Sequence, residues 1–125
     1  SSYGYEDVFL GISNKLKYKI KYIDNPLYHM GIKTTDKFIK DTEEALKNLI
    51  KYSNKKEVLK KVKLLRIWRK ISTIYLDTII ILLFNSFKSI ILRNLHSENP
   101  SLLLFQFYKL GFFSELKRNS IKKRK

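Results

Sequence analysis

Residues 18–31 read YKIKYIDNPLYHMG, and the fold class turns on this stretch. Its first six residues alternate apolar and basic side chains, the period-two signature of a strand with one wet face. Asp24-Asn25-Pro26 follows as a turn, because Pro fixes φ and the Asp and Asn side chains bond nearby backbone. Leu27, Tyr28, His29 and Met30 then form a second short extended piece, closed by Gly31. Upstream, residues 6–16 read as a short helix. Glu6 and Asp7 stand in its first turn and Lys15 and Lys17 lie at its far end, the arrangement the helix dipole favours. One or two strands cannot make a stable sheet alone. Residues 1–33 therefore read as the edge of a larger sheet domain, and the expected fold class is α+β, mainly α.

From residue 34 the period changes from two to between three and four. Thr34 or Thr35 can cap a helix with Asp36 in its first turn. Phe38, Ile39, Ala45, Leu46, Leu49 and Ile50 keep helical spacing as far as Ser53-Asn54. A further helix is expected over 57–71, with Val58, Leu59, Val62, Leu65 and Trp68 along one stripe, and Trp68 is read as core. Another is expected over 72–95, separate from it or continuous with it. This one contains TIIILLF, residues 78–84, far short of the ~20 apolar residues that span a bilayer, so it is read as a buried helix. Ser97-Glu98-Asn99-Pro100 breaks the chain. A last apolar helix over 101–110 is expected to stop at Gly111, and residues 115–125 read as a disordered basic tail. The helical region is thus placed at 34–114.

Composition bounds the function. With 125 residues and 44% hydrophobic content the chain can bury a core, and 4 Gly with 2 Pro argue for helices over a turn-rich β-sandwich. The 26 Lys+Arg against 11 Asp+Glu give a formal charge of +15, which draws polyanions: nucleic acid, an anionic membrane or phosphorylated substrates. A Lys-, Ile- and Asn-rich composition is also what an AT-rich genome produces. There is no Cys, hence neither disulfides nor a thiolate metal site. SSYGYED lacks the basic and apolar regions of a signal peptide, and with no initiator Met the chain begins as a processed protein or a fragment does.

The order Gly4-Tyr5-Glu6-Asp7, then an alternating strand holding Ile20 and Ile23, then Asn25-Pro26, then His29, resembles the end of the catalytic domain in family 2 glycosyltransferases. The likeness continues: KTTDKFIKDTEEALKNLIKY, residues 33–52, is similar to the helix that follows this His in many bacterial members, and NPSLLLFQFYKLGFF, residues 99–113, to their C-terminal helix. The resemblance implies a GT-A fold and transfer of a sugar from a nucleotide-sugar donor to a hydroxyl acceptor. It also implies a divalent metal, Mg or Mn, held through an earlier Asp-x-Asp motif. No two aspartates here are separated by one residue: they are Asp7, Asp24, Asp36, Asp41 and Asp77. Neither a βαβ nucleotide-binding half nor a glycine-rich phosphate loop is present. The chain then corresponds to an acceptor-side C-terminal fragment, inactive alone and without a cofactor of its own.

Local physics alone makes Glu6 and Asp7 helix-start acids. The resemblance assigns Asp7 as the base that deprotonates the acceptor hydroxyl, with Glu6 positioning the acceptor and Gly4 and Tyr5 at the substrate. It places His29 near the metal or diphosphate, against the alternative of a hydrogen-bonded structural histidine. Tyr3 reads as loop packing and His96 as a surface residue. Lys55, Lys56, Lys60, Lys61, Lys63, Arg66, Arg69 and Lys70 form a dense basic surface. On that surface rests the alternative function, a free-standing basic helical module for an anionic membrane or nucleic acid. The commoner meaning of such a surface is a solvated face. The resemblance sets the parent in the bacterial cytoplasm at the inner face of the membrane, and the chain's exposed sheet edge or apolar helices provide a route to homo-oligomers.

Overall fold

The computed structural model describes residues 34–123. Five helices follow in order: α1 Thr35–Tyr52, α2 Lys56–Lys61, α3 Lys63–Thr73, α4 Asp77–Leu95 and α5 Leu102–Lys122. Among the described residues there is no strand. This corrects the α+β expectation: the architecture is mainly helical. The physical reason lies in the pattern, because apolar residues from Thr34 onward recur at helical spacing and few Gly or Pro interrupt them. Residues 18–23 and 27–30, on which the strands are expected, lie outside the described residues, as does the helix expected over 6–16.

The helix starts follow capping chemistry. The Thr34 Oγ1 accepts the Lys37 N–H and the Ser101 Oγ accepts the Leu104 N–H, both at 3.4 Å. A side-chain bond from Asn94 further fixes the start of α5, its Oδ1 accepting the Ser101 N–H at 2.9 Å. The single helix expected over 57–71 is divided at Val62, which is extended (φ −95°, ψ 110°) and whose buried side chain fills the joint. A second division separates α3 from α4. There the Leu76 N–H bonds to the Ile71 carbonyl and the Tyr75 N–H to the Ser72 carbonyl, with Tyr75 at φ 57°. That pairing is a Schellman motif with tyrosine in the place glycine usually takes.

α5 is the axle of the bundle and packs against α4, α1 and α3. One core cluster joins Leu46 and Leu49 of α1, Val58 of α2, Val62, Leu65 of α3 and Phe113 of α5. The other joins Ile39 of α1, Phe84, Ile91 and Leu95 of α4, and Tyr108 of α5. Gly111 does not stop the last helix. It is buried in the middle of α5, where a side chain would run into Phe84, and the helix continues to Lys122. The stretch from 115 that reads as a disordered tail is therefore helical as far as Lys122. The Lys117 Nζ is part of the fold, donating to Ser53 Oγ at 2.6 Å and Asn54 Oδ1 at 3.1 Å.

Candidate functional site

Gly4, Tyr5, Glu6, Asp7 and His29 lie outside the described residues. Within residues 34–123 no three His, Asp or Glu side chains gather into a group that could hold a metal ion.

The basic residues of α2 and α3 are sorted by the break at Val62. Lys56, Lys60, Arg66, Arg69 and Lys70 line one groove of about 500 Å3, with Leu59 and Thr73, and no carboxylate is among its walls. All five cations are exposed. Lys61 and Lys63 open instead onto a second, larger groove whose walls include Leu102, Leu103 and Phe107 of α5. The Lys55 Nζ stands over the Tyr52 ring at 5.2 Å. A charge run that sequence shows as one continuous surface is thus resolved into a cation-lined groove and outliers.

Trp68, read as core from its place on the apolar stripe, is half-buried and packs against the first core cluster rather than within it. Its ring meets Phe113 edge-on at 5.7 Å, and the Lys117 ammonium lies 5.6 Å from it on a cation–π contact. The Trp68 Nε1 is buried and has no hydrogen-bond partner among the described residues.

His96 is more than a surface residue. Its Nε2 is 2.9 Å from the Asp36 Oδ1 and its Nδ1 is 2.7 Å from the Leu92 carbonyl. Both partners are acceptors, so only the doubly protonated ring satisfies both. The Leu92 carbonyl and then the Asp36 carboxylate raise its pKa above the ordinary 6.5. Tyr108, almost fully buried, donates its O–H to the Glu43 carboxylate, and burial followed by that bond pushes the phenol's pKa up.

The feature that sequence reasoning missed is on α4. The expected buried helix is buried along one seam only, Ile81, Phe84, Ile91 and Leu95. Leu76, at its N-cap, and Ile79, Leu83, Phe87 and Ile90 recur at three- and four-residue spacing on another face, and each is at least 40% exposed. At the corner before them Ile74 is 61% exposed and Tyr75 86%. An all-apolar run carries no periodicity, so TIIILLF alone could not reveal that half of it faces outward. By length and composition α4 is also apolar enough to cross a membrane.

Comparison of the chain with protein-family models, with curated proteins and with solved structures found no match.

Proposed function

We propose that this chain is the acceptor-side C-terminal portion of a family 2 glycosyltransferase, in which residues 34–123 form a helical extension behind the catalytic domain. One observation carries the reading: Gly4-Tyr5-Glu6-Asp7, Asn25-Pro26 and His29 stand in the order and spacing of that family's acceptor side. Two features of the bundle agree with it. α1 begins at Thr35, where the resemblance sets the helix after His29, and α5 begins at Leu102, within the stretch that resembles the family's C-terminal helix.

In this reading the Asp7 carboxylate takes the proton of the acceptor hydroxyl as its oxygen attacks the anomeric carbon. The bond from that carbon to the nucleotide breaks, and the nucleotide leaves with the electron pair. The divalent ion, held by the parent's other half, would neutralise the leaving diphosphate. The test is Asp7→Asn in the full-length parent. Turnover should fall by about 10²–10⁴-fold, the usual contribution of a positioned base, while donor affinity stays unchanged. Undiminished transfer refutes the assignment.

A further inference from the structure

Three features meet at the junction of α3 and α4. The first is the cation-lined groove, whose last wall is Thr73. The second is the corner that begins at the next residue, where Ile74 and Tyr75 stand open to solvent. The third is the exposed apolar face of α4 that continues from Leu76. Each has a bland reading by itself. Their continuity does not, because a surface facing only water gains nothing from an apolar face that begins one residue after a groove walled by five cations and no carboxylate.

Tyr75 sharpens the argument. It holds a left-handed backbone position (φ 57°) in which any side chain but glycine is penalised. It is 86% exposed, so packing within the bundle does not compensate that penalty. The two capping hydrogen bonds hold that backbone, and the outward-facing aromatic ring is left to engage something outside the bundle. Tyrosine favours the boundary between water and hydrocarbon, where its ring is buried and its hydroxyl stays wet.

We infer that the α3–α4 corner is a docking surface for an anionic phospholipid bilayer. The groove cations take the lipid phosphates, Tyr75 sits at headgroup depth, and the outer face of α4 lies among the first acyl carbons. The occupant follows from charge and shape together. Five cations on an open groove match a sheet of phosphates, and the adjoining apolar face matches the layer beneath it. Nucleic acid would satisfy the cations but would leave the apolar face in water. α4 lies along the surface and does not cross it. Its inner seam is held by α5 through Phe84, Ile91 and Leu95 against Tyr108, and Asn85, Lys88 and Arg93 interrupt its apolar sequence. This inference is independent of the sugar-transfer reading, since Asp7 has no part in it.

The experiment is co-sedimentation of the whole chain with vesicles of equal parts phosphatidylglycerol and phosphatidylcholine, and with phosphatidylcholine alone. Binding is expected to the mixed vesicles only, and to weaken with salt. Arg69→Gln with Lys70→Gln should weaken it about thirtyfold, whereas Lys37→Gln with Lys40→Gln, exposed cations on α1, should change it by less than about threefold. Leu83→Ser with Phe87→Ser should cost about tenfold or more, with the circular dichroism of the free protein checking that the bundle is intact. Tyr75→Gly separates function from folding: it should raise the melting temperature and lower vesicle binding at once. The proposal is overturned by equal losses in the α1 and α3 pairs, which would mean diffuse charge alone, or by indifference to the α4 pair. It is equally overturned by protection of α4 from protease on both sides of the vesicle, which would mean a span. Concentration-dependent dimers that the α4 pair abolishes would overturn it too, since the face would then belong to a second copy.

Discussion

Gly111→Ala tests the packing of the bundle at its tightest point. Gly111 is buried in α5, and a Cβ added there would lie 2.5 Å from Cδ2 and 2.6 Å from Cβ of Phe84, where ordinary contacts fall at 3.4–4 Å. The Phe84 ring can turn, but its Cβ is tied to the α4 backbone, so α4 and α5 would have to part by about 0.8 Å in a close-packed interior. Overpacking of this kind costs about 3 kcal/mol at the upper end of its usual range. Alanine returns about 1 kcal/mol through its better helix propensity. The net loss is about 2 kcal/mol, or about 10 °C in Tm for a domain of this size. Thermal unfolding followed by far-ultraviolet circular dichroism reads it directly. Phe84→Ala combined with Gly111→Ala should cost less than the sum of the two single changes, because truncating Phe84 relieves the clash of the added methyl, which in turn fills part of the cavity left. If Gly111→Ala melts at or above the wild-type temperature, as at an exposed helical glycine, the close approach of α4 and α5 is wrong.

Tyr108→Phe removes a buried donor to a partly hydrated carboxylate and should cost about 1–2 kcal/mol, while Glu43→Gln, which still accepts the bond, should cost less; equal stability of wild type and Tyr108→Phe in urea would refute the bond. The His96–Asp36 pair gives a pH dependence of definite sign. Its folded-state pKa is raised above 6.5, so its contribution is fully present below that value and is lost as pH rises through the folded pKa. The difference in Tm between wild type and His96→Gln should therefore be larger at about pH 6 than at about pH 9, and an inverse or flat dependence would refute the pairing.

Where the sequence carried local chemistry, the bundle was legible. Thr34 before an acidic first turn marked α1, and Ser101 after Asn-Pro marked α5. The misread points have physical reasons. Gly111 has two opposite uses, to end a helix or to let another helix approach, and only the position of Phe84 decides between them. Val62 and Tyr75 break the chain without Pro or Gly, so no breaker signal exists to be read. The run from Ile79 to Phe84 is apolar on every side, which hides the boundary between the seam that α5 covers and the face it leaves open. The basic surface was visible as charge, but its division into a groove and outliers depends on the turn at Val62. The residues expected to do chemistry, Glu6, Asp7 and His29, rest on their order in the chain.

The place of α5 sets an order on how this bundle can be made. Tyr108 completes one cluster and Phe113 the other, so neither half of the core can close before α5 exists. In a growing polypeptide α1 to α4 emerge with their inner faces unsatisfied and with the outer face of α4 already apolar. Such a nascent chain is an attractive client for chaperones and exposes sticky surface until α5 has emerged. Folding here is an event that waits for α5, and its speed is set by how quickly α5 finds the seams prepared for it.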